Sequence, residues 1–188
     1  MSGTFSLVVP SMDHLPAYRA ALEMGWSPNN IDGEKTRLAE LAAIDSDAPA
    51  FLTASDDPEG RLPGYTAPDG TVLPRIPGYR RWMWDGDFCG SISFRWLPGT
   101  SDLPPHVLGH IGFAVIPAKR GNGYAAGAVM ALLPDARSRG LSYIEITANE
   151  DNLPSRRTIE RCGGVLIERF TKIAAYGGAE SLRYRIAL

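Results

Sequence analysis

Cysteine is scarce in this 188-residue chain, which carries only Cys89 and Cys162. Their spacing fits neither a metal-binding pair nor a disulfide framework, so both read as small core residues in a reducing compartment. Long apolar runs are missing too. Leu7-Val8-Val9 stops at Pro10 without the cationic flank of a signal peptide, and no stretch approaches the roughly 20 apolar residues that span a bilayer. The expectation is a soluble, cytoplasmic protein with no membrane partner. Nor does one sign of charge dominate: 19 Lys and Arg face 21 Asp and Glu, with no basic run. That balance excludes a nucleic-acid footprint. Any bound anion must therefore be held locally, by a loop or a helix end. The phosphate loop Gly-x-x-x-x-Gly-Lys-Ser/Thr is absent, as are internal repeats.

What is present is glycine and proline in excess, 20 and 15 residues. Helix interiors exclude both, which argues against a bundle or coiled coil. Disorder is excluded as well, because 44% of the residues are hydrophobic and 9% aromatic. At this length we expect one domain over residues 1–188, large enough to need no disulfide or metal staple.

The hydrophobic pattern predicts a strand over Phe5–Val9. A helix follows, capped by Ser11 or Asp13, with Leu15, Tyr18, Ala21 and Leu22 on one face. A second helix is expected over Glu34–Ile44, with Leu38, Leu41 and Ala42 inward. Residues 49–79 hold six prolines and read as a surface loop or lid, with a turn at Pro68-Asp69-Gly70. Asp85-Gly86-Asp87 then joins two strands as a hairpin. Trp82 and Trp84 are expected to share one face, as are Phe88, Ile92, Phe94 and Trp96. These rings either pack the sheet or line a cleft. Leu108–Ile116 is a strand and Gly123–Arg139 a helix kinked at Pro134. Leu141–Thr147 is a strand and Leu153–Arg161 a helix, and strands over Val165–Phe170 and Leu182–Ile186 close the chain. Strand–helix–strand order implies a parallel crossover, hence a mixed α/β fold.

Arg120-Gly121-Asn122-Gly123-Tyr124-Ala125-Ala126 lies between a strand end and a helix start. Glycines there let a ligand approach the backbone closely, and the helix N-terminus favours a phosphate or pyrophosphate. The bland alternative is a tight turn. Gly121-x-Gly123-x-x-Ala126 also fits a loose dinucleotide pattern. Against that reading, four residues separate the strand from the first glycine, and no acid stands where the ribose would need one.

These residues resemble the GNAT superfamily of N-acetyltransferases. The signature Arg/Gln-x-x-Gly-x-Gly/Ala is met by Arg120 to Ala125. Gly109 to Pro117 looks like the family's fourth strand, and Asn152-Leu153-Pro154-Ser155 looks like its Asn-x-x-Ser/Ala element. The resemblance implies a central mixed, mostly antiparallel sheet with one splayed parallel strand pair, flanked by helices. It implies acetyl-CoA as cosubstrate and no metal. The pyrophosphate would sit on the amides of Gly121, Asn122, Gly123, Tyr124, Ala125 and Ala126, with Arg120 beside them. The pantetheine would pair along Phe113, Ala114 and Val115. Asn152 would hydrogen-bond it (or cap the following helix), and Ser155 would lie near the thioester sulfur.

The implied reaction is direct acetyl transfer to a primary amine, which must lose a proton before it attacks. His110 and Glu145 are the candidate bases, each with a structural alternative, and His14 and His106 have weaker cases. The Val115 amide is a candidate oxyanion donor. The tyrosine that many family members place seven residues after the asparagine is Ile159 here, which leaves water, Ser155, Tyr124 or Tyr143 as proton donors. A non-catalytic acyl-CoA binding module is the alternative. Acids in Asp56-Asp57-Pro58-Glu59 either attract a cationic amine or solvate a loop. Exposed sheet edges and C-terminal strands suit a homodimer.

Overall fold

The computed structural model describes residues 4–66, 71–173, 176 and 178–188. The turn expected at Pro68-Asp69-Gly70 lies outside them. The chain orders its elements as β1 (Ser6–Val8), α1 (Leu15–Glu23), α2 (Gly33–Thr53), β2 (Asp56–Asp57), β3 (Tyr65–Thr66), β4 (Val72–Leu73), β5 (Gly78–Trp84), β6 (Phe88–Arg95), β7 (Ile111–Val115), α3 (Tyr124–Ser138), β8 (Tyr143–Asn149), α4 (Leu153–Arg161), β9 (Val165–Thr171) and β10 (Glu180–Ala187). One sheet runs β1-β5-β6-β7 with β2 also on β5, and a second runs β8-β10-β9; β3 and β4 form a separate ribbon. Every ladder pair among the described residues is antiparallel.

Two apolar clusters hold the layers together. On one face α3, α4 and both sheets bury Ile92, Phe94, Val129, Leu132, Leu133, Ile144, Ile146, Ile159 and Leu182. On the other, α1 and α2 close over Trp82 and Phe88. Tyr18 stacks on Trp82 at 4.5 Å and meets Phe88 edge-on at 5.3 Å. Both Tyr18 and Trp82 are fully buried, each contributing on the order of 2–3 kcal/mol of apolar transfer. The inward stripe Leu15, Tyr18, Ala21 and Leu22 is as the sequence pattern predicts.

Several expectations are corrected. Phe88 does not share a face with Ile92, Phe94 and Trp96. A bulge between Met83 and Trp84 makes Cys89 an extra residue and turns Phe88 to the opposite side. Gly90 makes that bulge possible: its φ is +154°, and a Cβ there would stand 2.3 Å from the Ala114 carbonyl oxygen. The second helix does not end at Ile44. It breaks at Asp47 (φ −158°, ψ 88°) and restarts, with Asp47 Oδ1 accepting from the Ala50 N–H at 2.9 Å as a new cap. Pro49 is therefore a first-turn proline, and the expected loop begins only after Thr53. Leu38 and Ala42 face solvent, while Leu41, Ile44, Ala48, Phe51 and Leu52 face the core. Neither Ser11 nor Asp13 caps α1 with its side chain. Pro134 does not interrupt α3 with non-helical dihedrals. The helical bond it removes is the one to the Met130 carbonyl, on the exposed face of the helix.

Candidate active site

The site lies where β7 and β8 part. The His110 N–H, just ahead of β7, donates to the Glu145 carbonyl at 2.7 Å. A Cβ at Gly109 would stand 2.9 Å from that carbonyl oxygen, so only glycine permits the approach. Beyond this point no ladder joins the two strands among the described residues. A cavity of about 480 Å³ opens instead, with Ile111, Gly112 and Phe113 on one wall and Ile146, Thr147 and Ala148 on the other. Asn152, Pro154 and Ser155 close one end of it.

Strand alternation decides which β7 groups face the gap. The Ile116 N–H donates to Cys89 at 3.0 Å, across β6. Ala114 therefore also spends its backbone groups on β6, and those of Phe113 and Val115 point to the open flank. The Val115 carbonyl accepts from Arg120 Nε at 3.2 Å.

The glycine loop follows β7 and leads into α3. Gly121 and Gly123 have φ of +81° and +79°, values a side chain resists, and a Cβ at either would meet no protein atom within 4 Å. Gly123 is the N-cap of α3, and no side chain caps this helix. The amides of Tyr124, Ala125 and Ala126 precede the first intrahelical bond, Gly127 N–H to Gly123 O at 2.9 Å. Asn122 Nδ2 donates to the Lys119 and Arg120 carbonyls and holds the loop's shape.

One residue here escaped sequence reasoning. Asp85, in the hairpin turn, accepts from Lys119 Nζ at 2.9 and 2.7 Å and from the Tyr124 hydroxyl at 2.5 Å. The Lys119 ammonium, with the Tyr124 hydroxyl, holds its carboxyl far below the usual carboxylate range. The aspartate thus clamps both ends of the glycine loop to the hairpin. Asp-Gly signals a turn, and nothing in its local pattern reveals partners 34 and 39 residues away.

The residues expected to do chemistry are placed unevenly. His110 is fully buried, and its Nδ1 accepts the Glu145 N–H at 2.9 Å. Burial pushes its pKa down to about 4. Glu145 is gripped by Arg185 at 2.6 Å and Arg183 at 3.1 Å. Neither side chain lines the gap. Ser155 does, and its N–H donates to Asn152 Oδ1 at 3.2 Å, so Asn152 is the cap of α4 while still facing the cavity. Ile159 is fully buried in the core. Tyr143 is tied to Asp102 at 2.6 Å and lies outside the gap. His14 packs edge-on against Trp84 at 4.5 Å. Cys89 and Cys162 are buried and unpaired, and burial raises both thiol pKa values, Cys89 to about 12.

A second cavity, of about 670 Å³, joins the first through Asn30, Ile31, Gly112, Phe113, Thr147 and Lys172. Its walls come from α2, β5, β6 and the segments before β5 and β7. A buried set stiffens one wall: Arg80 donates to Glu40 at 2.9 Å and to the Tyr18 hydroxyl at 3.0 Å. Phe94 lines this cavity, whereas Trp82 and Trp84 pack under α1 and do not. The acidic run is largely consumed by the fold. Asp56 lies 3.5 Å from Arg81, Glu59 pairs with Arg61, and Asp57 accepts the Arg61 and Leu62 N–H groups. Only Asp57 of that run reaches the cavity. The described residues contain no cluster of side chains able to hold a metal, and none of their helices is long and apolar enough to cross a membrane.

Residues 40–165, more than half of the chain, match the family model described as the acetyltransferase (GNAT) domain. The chain belongs to the GNAT acetyltransferase family. This overturns the dinucleotide-binding oxidoreductase reading of the glycine loop. The self-immunity acetyltransferase MccE of Microcin C7, solved with acetyl-CoA and AMP, is 14% identical with a TM-score of 0.62, covering 100% of this chain and 97% of that one. RimL, a ribosomal protein α-N-acetyltransferase solved with coenzyme A, is 15% identical with a TM-score of 0.63 and coverage of 100% and 96%. A GNAT-family protein from Bordetella pertussis is 22% identical with a TM-score of 0.58 and coverage of 97% and 95%. At these identities the likeness concerns the fold. No curated protein matches the sequence.

Proposed function

We propose that this protein is an N-acetyltransferase that carries the acetyl group of acetyl-CoA directly to a primary amine. The observation that carries the reading is the uncapped N-terminus of α3, with two left-handed glycines in front of it, directly after β7, the strand that walls the gap. Free amides and the helix dipole suit a pyrophosphate there. The amide-rich pantetheine would pair with the gap-facing groups of Phe113 and Val115, past Asn152 and Ser155. The thioester would then lie between the two cavities. Attack by the amine would convert its carbonyl to a tetrahedral oxyanion, which the gap-facing Val115 N–H would stabilise. His110 and Glu145, held by backbone and arginines, have structural roles in this reading.

The test is release of free CoA thiol when acetyl-CoA is mixed with seryl-alanine, lysine amide and spermidine. Thiol release with a matching acetylated product is expected for at least one amine. Acetyl-CoA binding without turnover on any amine favours the second reading, a non-catalytic acyl-CoA module, for which the burial of Ile159 speaks. A homodimer through the β9 edge belongs to the proposal, supported by exposed Val165, Leu166 and Ile167 on that strand. Sedimentation at twice the chain mass checks it, and a monomer at micromolar concentration counts against it. We place the protein in a reducing compartment, which its two buried free thiols support.

A further inference from the structure

The proposed transfer needs a group that takes a proton from the amine and one that gives a proton to the leaving thiolate. Ile159 fills the family's proton-donor position and faces the core. Among the side chains that line both cavities, Lys172 is the ionisable one. It follows directly on β9, and its N–H donates to the Ala179 carbonyl at 3.1 Å, so its backbone is fixed against the segment that leads into β10. The residue is 8% exposed. Its Nζ donates to Asn149 Oδ1 at 2.5 Å, and Ser181 Oγ donates to the same oxygen at 3.4 Å. The partner is a neutral amide at the end of β8, not a carboxylate.

The surroundings set its proton affinity. Burial lowers the pKa of Lys172, and the Asp151 carboxylate opposes that shift from the turn after β8. Across the larger cavity, the Arg80–Glu40 pair is internally neutral. Arg95 on β6 and Arg75 before β5 add positive charge to the same space, Asp57 adds a negative one, and His106 lies on the segment before β7.

We propose that Lys172 is the proton relay of the transfer, touching the acceptor nitrogen on one side and the thioester sulfur on the other. The acceptor enters as the free amine. As its nitrogen bonds to the thioester carbonyl carbon, the neutral Nζ takes one N–H proton. As the C–S bond breaks, Nζ–H delivers that proton to the departing sulfur. One N–H and one C–S bond break, one C–N and one S–H bond form, and the lysine returns to its starting state. One side chain serving both cavities replaces the missing tyrosine.

This rests on the acetyltransferase reading, and the test separates the two. Acetyl-CoA thermal stabilisation and thiol release with the best amine of the panel are measured for the wild type, Lys172→Ala and Lys172→Arg. Failure of the wild type to bind or to turn over sinks the functional reading itself. With an active wild type, Lys172→Ala is expected to keep the acetyl-CoA shift and to lose about 100-fold or more in kcat. Lys172→Arg stays protonated and so cannot take the amine's proton, and is expected to stay as slow. Trimethylamine, which accepts a proton but yields no stable amide, is expected to restore part of the alanine variant's rate. An arginine variant within threefold of wild type overturns the proposal and makes Lys172 an anchor for an anionic acceptor. An alanine variant with wild-type kcat overturns it too. Should the variants fold poorly, the wild-type profile decides. The relay predicts a kcat that falls on the acid side with an apparent pKa below the ordinary lysine range, and a profile with no acid limb over the whole pH range in which the protein stays folded overturns it.

Discussion

The stretch proposed to hold the cofactor, Val115 to Ala126, is consecutive in the chain, whereas the cavity proposed to take the acceptor draws Asn30, Glu40, Arg75, Phe94, Val107 and Lys172 from separate segments. The first is local backbone chemistry: two left-handed glycines, an asparagine that ties its own turn, and a helix start. The second is a product of packing, in which no pair of neighbouring residues makes the surface. A fold can therefore keep one wall recognisable while the other varies freely. The clamp at Asp85 belongs to both kinds, since a distant turn residue completes the local loop.

The largest expected effect falls on the local wall. Gly123→Val forces a branched side chain into a left-handed backbone and covers the free amides. Thermal stabilisation by acetyl-CoA should vanish, a loss of about 2.7 kcal/mol at a ligand concentration of 100 Kd. Most of the intrinsic melting temperature should survive, because no protein atom lies within 4 Å of the added Cβ. Retained stabilisation would return the loop to a plain turn.

A pH effect comes next. The native pKa of His110 is near 4, against about 6.5 in an unfolded chain. Below pH 6.5 the unfolded state binds a proton that the native state refuses, so stability is complete above 6.5 and falls as the pH drops towards 4. The full span is on the order of 3 kcal/mol. His110→Asn, which retains an acceptor for the Glu145 N–H, should flatten that slope in denaturation curves between pH 4 and 6.5. Its activity at pH 8 should stay within severalfold of wild type. Collapse of activity would make the histidine a base after all.

Asp85→Asn should cost about 1–3 kcal/mol of stability by breaking a buried, charge-assisted contact, and should weaken acetyl-CoA binding without changing the acceptor KM. Chemical denaturation and calorimetric titration measure the two. A change in acceptor KM alone would move this residue to the other wall. The smallest effect is expected at Asp56→Asn, where a half-exposed pair with Arg81 contributes no more than about 0.5 kcal/mol. No acceptor amine should change its KM by more than about twofold on that account.

What the sequence discloses follows the same division. The order of the longer strands and helices, the inward stripe of α1 and the position of the glycine loop between strand and helix all depend on residues within a turn or two of one another, and they are read correctly, whereas the two-residue strands β2, β3 and β4 fall in the stretch expected as a loop. The bulge at Cys89 and Gly90 and the break at Asp47 are local too, yet the first offsets a period by one residue and misplaces Phe88, and the second restarts a helix in a stretch expected to be loop. His110 and Glu145 looked catalytic because a polar residue on a central strand needs a reason. In the structure His110 is engaged by a cross-strand amide and Glu145 by two arginines from β10. Lys172 gave no signal at all, since only the splay of β7 from β8 and the close of β9 bring it to the junction of the cavities.

The central claim is that the loop before α3 and the gap beside β7 hold acetyl-CoA. Calorimetric titration of the wild-type chain with acetyl-CoA, repeated with Gly123→Val, tests it most directly. The account predicts saturable one-to-one binding by the wild type and none by the variant. Equal binding by both, or no binding by the wild type at millimolar ligand, would contradict it.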